Sequence, residues 1–240
     1  MSEDFLLRPV RTPPAYAAVV DRVRRAVALG VLLPGDRLPA ERVLAEALGV
    51  SRVTVREALR VLQGEGLLTT RRGSAGTIVS PAAAALSAAV DDEEYVRRIG
   101  DVFELRLAVE AMGAGLAARR VTAEDLQWLD SCQAALVASA DVHAFRRADS
   151  EFHLAIARMS GNALLGQVVE DLRAAAFSRL DRDDLAVIHE STIRGHAAVI
   201  AAVRDGEPAA ASSAMTAHIS EARQEVDAVL AERRRQSAMP

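Results

Sequence analysis

The stretch Ala45-Glu46-Ala47-Leu48-Gly49-Val50-Ser51-Arg52-Val53-Thr54-Val55-Arg56-Glu57-Ala58-Leu59 reads as the end of one helix, a tight turn and the start of another. Two helices joined so closely need a small residue where they cross, a glycine at the turn and an aliphatic residue securing the second helix. Ala45, Gly49 and Val55 fall at those places. Ser51 offers a capping hydroxyl to a helix running from Arg52 to about Gln63, with Val55, Leu59 and Leu62 facing inward. Working back, a short helix is predicted from about Pro39 to Leu48. Before it, a helix over about 14–29 has Ala17, Val20, Val23 and Val27 on one face, and is stopped by Gly30 and the turn Leu33-Pro34-Gly35-Asp36. Working forward, Leu67-Leu68-Thr69-Thr70 and Thr77-Ile78-Val79 read as two short strands around the basic hairpin Arg71-Arg72-Gly73-Ser74-Ala75-Gly76. Residues 1–80 therefore predict a winged helix-turn-helix, three helices with a small β-hairpin wing.

Such a unit presents the start of its second turn-flanking helix to the DNA major groove. Here that start carries Ser51, Arg52, Thr54 and Arg56. Arginine can reach guanine O6 and N7, and hydroxyls can hold phosphate. Arg71 and Arg72 stand at the wing, placed to reach an adjacent groove or backbone. Net charge at first argues against this, since the 240-residue chain carries a formal −4. Division at Ser80 resolves it: residues 1–80 hold 12 Arg and 8 Asp/Glu, a net +4, and the remainder is at −8. A basic head on an acidic body suits a small domain that meets phosphates and a larger one that does not.

Pro81 to Asp92 is rich in Ala and Ser and reads as an interdomain linker, 81–92. Beyond it no strand pattern occurs, so the chain is expected to be mainly α. Helical runs are punctuated at Gly100, Val121-Thr122, Ala140-Asp141, Ser160-Gly161-Asn162, Asp181 to Asp184 and Asp205-Gly206-Glu207-Pro208, with Thr122, Asp141 and Asn162 as N-caps. Residues 93–240 are expected to form an all-α helical bundle of about six helices. No apolar run reaches the roughly 20 residues needed to span a bilayer, and the acidic start Met1-Ser2-Glu3-Asp4 is unlike a signal peptide. The single Cys132 excludes an intrachain disulfide. A soluble, cytoplasmic protein is expected, and Trp128 is expected to serve packing.

All five histidines lie in the acidic body. Asp149 and His153 are four apart and share a helix face with Phe145, Phe152 and Ile156, so they should point inward. His196 sits among Ile193, Ile200 and Val203, and His218 lies on the stripe Met215, Ala222 and Val226. His196 is ten residues before Gly206 and His218 twelve after it, so an antiparallel helical hairpin brings them to heights differing by roughly 3 Å at about 1.5 Å per residue. A single buried histidine is more often a satisfied core residue than a ligand. Four co-facing groups, Asp149, His153, His196 and His218, shift the balance toward a divalent cation, with zinc favoured and nickel or manganese as alternatives. His143 falls on the opposite face from Phe145 and is expected in solvent, whereas His189 lies about 10 Å along the axis from His196.

The stretch Gly35-Asp36-Arg37-Leu38-Pro39-Ala40-Glu41-Arg42, with Leu44-Ala45, Gly49-Val50-Ser51-Arg52, Thr54-Val55-Arg56-Glu57-Ala58-Leu59 and Glu65-Gly66-Leu67, resembles the winged-helix signature of the GntR superfamily of bacterial regulators. The resemblance implies operator contacts at Arg42, Arg52, Thr54 and Arg56, and a wing tip at Arg72 and Gly73, although this wing carries an extra residue. The body is similar to the FCD domain of the FadR-like branch, through Asp149-Ser150-Glu151-Phe152-His153 and the span from His196 to His218. That likeness implies a metal that anchors a small carboxylate effector, and it matches Arg106 to an arginine able to pair with the effector carboxylate. The plainer reading of Arg106 is a helix-surface ion pair with Glu110.

The expectation is a homodimeric repressor reading an inverted repeat in double-stranded operator DNA, with no membrane partner and no catalytic residue. Two other readings remain open. A metal-dependent hydrolase using the Asp/His site would leave the basic head idle. An effector-independent architectural DNA binder would leave the inward ligands unexplained.

Overall fold

The computed structural model describes residues 14–71, 76–81, 92–176 and 182–237. The chain divides into two compact units, Met1–Arg24 with Pro34–Leu86, and Arg25–Leu33 with Ser87–Pro240. The architecture is mainly α, as the sequence predicts.

Three helices and a hairpin build the first region: α1 (Ala15–Ala28), α2 (Glu41–Leu48), α3 (Arg52–Gly64), β1 (Leu68–Arg71) and β2 (Gly76–Val79). The strands pair antiparallel, Leu68 opposite Val79 and Arg71 opposite Gly76. Asp36 to Leu38 lie along the other edge of β2, with Leu38 N donating to Thr77 O at 2.9 Å. Val55, Leu62 and Val79 are fully enclosed, joined by Val20, Val23, Ala45, Leu59, Leu68 and Ile78. Gly49 ends α2 in the left-handed conformation at φ 66°, which a side chain resists and glycine accepts freely. That turn sets α3 against α2. The α2 helix begins two residues later than the Pro39 start predicted above, with Ala40 as its N-cap.

The body holds six helices among the described residues: α4 (Asp92–Ala118), α5 (Ala123–Val137), α6 (Val142–Met159), α7 (Ala163–Ala176), α8 (Arg182–Arg204) and α9 (Pro208–Ser237). Thr122 forms a reciprocal capping box with Asp125, Asp141 accepts from the backbone of His143 and Ala144, and Asn162 Oδ1 accepts from Leu164 and Leu165 N. The expected break at Gly100 is absent, because α4 runs through it. An isolated glycine costs a helix only about 1 kcal/mol, and Ile99, Val102 and Phe103 around it are buried in the main core. The Pro81–Asp92 linker falls mostly outside the described residues. Among those described, no helix is long and apolar enough to cross a membrane.

Candidate metal centre and DNA-reading face

Helix α6 is the spine of the interior site. Its inward face buries Phe145, Asp149, Phe152, His153 and Ile156, so the four-residue spacing places a carboxylate and an imidazole one turn apart. The α8–α9 hairpin supplies His196 and His218, each on the buried stripe. His196 Nε2 lies 3.2 Å and His153 Nε2 3.6 Å from Asp149 Oδ1, and the Nε2 atoms of His153 and His218 are 3.3 Å apart. Ligand atoms about 2.0–2.1 Å from a tetrahedral ion stand about 3.3–3.4 Å from one another. The three separations bracket that value. All four residues are buried, with one potential ligand atom from each lying within 4.8 Å of the others.

The donor set fits a cation better than a hydrogen-bond network. His196 is wholly enclosed, yet neither ring nitrogen has a hydrogen-bond partner. Buried polar atoms are nearly always satisfied. Burial pushes the His153 imidazole below the usual histidine range, against the opposing pull of Glu110. It pushes His196 and His218 well below that range, with neighbouring imidazoles adding to the effect. Neutral imidazoles keep the lone pairs that metal ligation requires.

Three residues outside the expected ligand set complete the site. Arg173, buried on α7, pairs with Asp149 Oδ2 and leaves Oδ1 toward the histidines. Glu110 on α4 takes Arg106 Nε on Oε1 at 2.6 Å, and its Oε2 lies 2.5 Å from His153 Nδ1. Burial would raise the Glu110 carboxyl, but Arg106 and His153 hold it well below the usual carboxylate range. Gly195 is the third: a Cβ there would run into the His218 ring. The i, i+4 spacing of Arg106 and Glu110 was legible in the sequence, whereas Arg173 and Gly195 carried no signal of this kind.

Arg106 does pair with Glu110, but not at the surface: the two are 3% and 2% exposed, and Arg106 Nη2 is buried without a hydrogen-bond partner. His189 stands apart from the four ligand candidates, with Nε2 3.1 Å from Ser139 Oγ and its ring against Phe145. His143, expected in solvent, is half-buried, and burial lowers its pKa. Trp128, expected in the packing, is 48% exposed, with the Arg158 guanidinium 6.0 Å from its ring centroid.

In the first unit, Ser51 caps α3: its Oγ accepts from Thr54 N at 3.0 Å and lies 2.8 Å from Thr54 Oγ1. Arg56 donates through Nε and Nη2 to Glu41 of α2, and Arg42 pairs with Glu46. Arg52 is exposed at the start of α3. Arg72 and Gly73 lie outside the described residues. The Glu41 partner of Arg56 is what the sequence reading missed, since nothing in a 15-residue separation announces it.

Residues 15–79 match the family model of bacterial regulatory proteins, gntR family, and residues 101–221 match the FCD domain model. The protein named for regulation of the L-lactate dehydrogenase operon in Escherichia coli (strain K12) is 36% identical over 219 residues, 84% of this chain and 82% of that protein. The HTH-type transcriptional regulator Rv0494 of Mycobacterium tuberculosis (strain ATCC 25618 / H37Rv) is 32% identical over 238 residues, 92% of this chain and 94% of that protein. The solved structure of E. coli McbR/YncC shares the fold at a TM-score of 0.54 and 21% identity, covering 92% of this chain and 99% of that one.

Proposed function

This chain belongs to the GntR family of bacterial regulatory proteins and carries an FCD domain, and from that premise we propose a cytoplasmic repressor whose operator affinity is set by a small carboxylate bound at a divalent metal. Residues 1–80 serve as the DNA-binding domain, 81–92 as the linker and 93–240 as the effector-binding and dimerisation domain. A homodimer reads an inverted repeat. Arg42, Ser51, Arg52, Thr54 and Arg56 meet the operator, with Arg72 and Gly73 at the wing tip. The Glu41 carboxylate holds the Arg56 guanidinium in place, so its fork meets DNA already oriented.

Asp149, His153, His196 and His218 hold the ion, zinc in the first instance, with nickel or manganese as alternatives. When bound, the ion supplies a Lewis-acidic anchor for a carboxylate oxygen. Arg106, through its free Nη2 arm, pairs with the same carboxylate. The observation that carries the reading is the convergence of four buried donor atoms within 4.8 Å of one another, three of their separations near a tetrahedral edge, inside an FCD domain.

The test is operator affinity of the zinc-loaded protein, by fluorescence anisotropy, on a duplex the protein itself has selected from a random pool. At least one member of a panel of small carboxylates that includes L-lactate should weaken binding tenfold or more, which corresponds to about 1.4 kcal/mol of preference for the non-binding conformation. Equal affinity across the panel contradicts effector control.

A further inference from the structure

We propose that Glu110 is a positioning residue that fixes the tautomer and ring orientation of His153 and ties that ring to Arg106. For the metal and the effector this rests on the function proposed above, whereas the tautomer stands on the distances alone.

Glu110 is 2% exposed and divides its two oxygens between two partners. Oε1 accepts from Arg106 Nε at 2.6 Å, and Oε2 lies 2.5 Å from His153 Nδ1. Without a proton between them, a carboxylate oxygen and a ring nitrogen at that distance would set lone pair against lone pair. The approach is out of line with the ring N–H, so the pair is read from its 2.5 Å separation. A neutral imidazole has one N–H, so a proton on Nδ1 leaves the lone pair on Nε2. Nε2 is the nitrogen that faces Asp149 Oδ1 at 3.6 Å and His218 Nε2 at 3.3 Å. A carboxylate behind a ligating histidine orients the ring and raises its basicity.

His196 shows the contrast. Its carboxylate neighbour, Asp149, stands on the Nε2 side and not behind Nδ1, and its ring stacks on Phe152 with centroids 3.7 Å apart. Among the histidines facing Asp149, a carboxylate therefore holds His153, while stacking holds His196. Because Glu110 also grips Arg106, an anion that drew the Arg106 guanidinium would pull on the carboxylate behind His153. The arginine arm and the metal ligand are thus joined by one side chain.

The experiment reads ring tautomers by long-range proton–nitrogen correlation in metal-free protein with nitrogen-15-labelled histidine, and zinc affinity by competition with a chromophoric chelator. Wild type should show His153 as the Nδ1–H tautomer. Glu110→Ala should lose that preference and bind zinc about 10- to 100-fold more weakly, while Glu110→Gln, which keeps an acceptor oxygen, should recover part of both. If Glu110→Ala does not fold, the paired change Arg106→Met with Glu110→Leu removes both buried charges together and gives the same readouts. An Nε2–H tautomer in wild type overturns the proposal, and so does a Glu110→Ala protein with unchanged tautomer and zinc affinity within twofold of wild type. An Nδ1–H tautomer in a wild type that takes up no zinc supports the tautomer lock and overturns the metal reading instead.

Discussion

Gly195 and Glu110 show how the candidate ligand set would depend on residues outside it. A side chain at position 195 would occupy the space of the His218 ring, and the ring has little room to retreat because it is almost wholly buried. Gly195→Ala should therefore weaken zinc binding about tenfold or more while α8 itself, where alanine is the better helix former, stays intact. Chelator competition alongside far-ultraviolet circular dichroism checks both halves. Cys132 gives a simpler case. Burial pushes its thiol up to about 11, so alkylation at pH 8 should be far slower in the native protein than in urea-unfolded chain, and equal rates would contradict that burial. Of these residues, the four ligand candidates were legible from helical spacing and the hairpin count. Gly195 and Arg173 were not, because their importance comes from what a neighbouring helix brings against them.

Helix α3 depends on one hydroxyl at its start, which under the proposed function would also face DNA. Ser51 satisfies the Thr54 N–H of the first turn, so Ser51→Ala should lower the stability of the first unit by about 1 kcal/mol, measurable by urea titration, with Ser51→Thr or Ser51→Asp retaining most of it. A loss confined to operator affinity, with stability unchanged, would instead make Ser51 a DNA contact alone. The turn itself was readable because Gly49 and Ser51 are local signals. The Glu41–Arg56 pair was hidden, since it depends on how α2 and α3 cross rather than on either helix. Gly100 was misleading for the reverse reason: as a local signal it suggested a break, and the buried residues on either side of it outweigh its weak helix preference.

Across the whole chain, the neutral interior histidines make stability depend on pH. Their folded pKa values lie below the ordinary histidine value, so between the two values the unfolded chain binds more protons. The contribution is then fully present above about pH 6.5 and is lost as pH falls toward the folded values. Metal-free protein should show its urea midpoint declining from pH 7 to pH 5.5, and His196→Phe should flatten that slope. A bound ion, competing with the same protons, should make the loaded protein more stable at pH 7. One measurement decides whether the body is a metal-holding sensor: metal content by mass spectrometry on tag-free protein, wild type beside His196→Ala. About one divalent ion per chain, lost in the variant, is the expected result. A wild type that holds no ion, even after incubation with zinc, nickel and manganese, would contradict it.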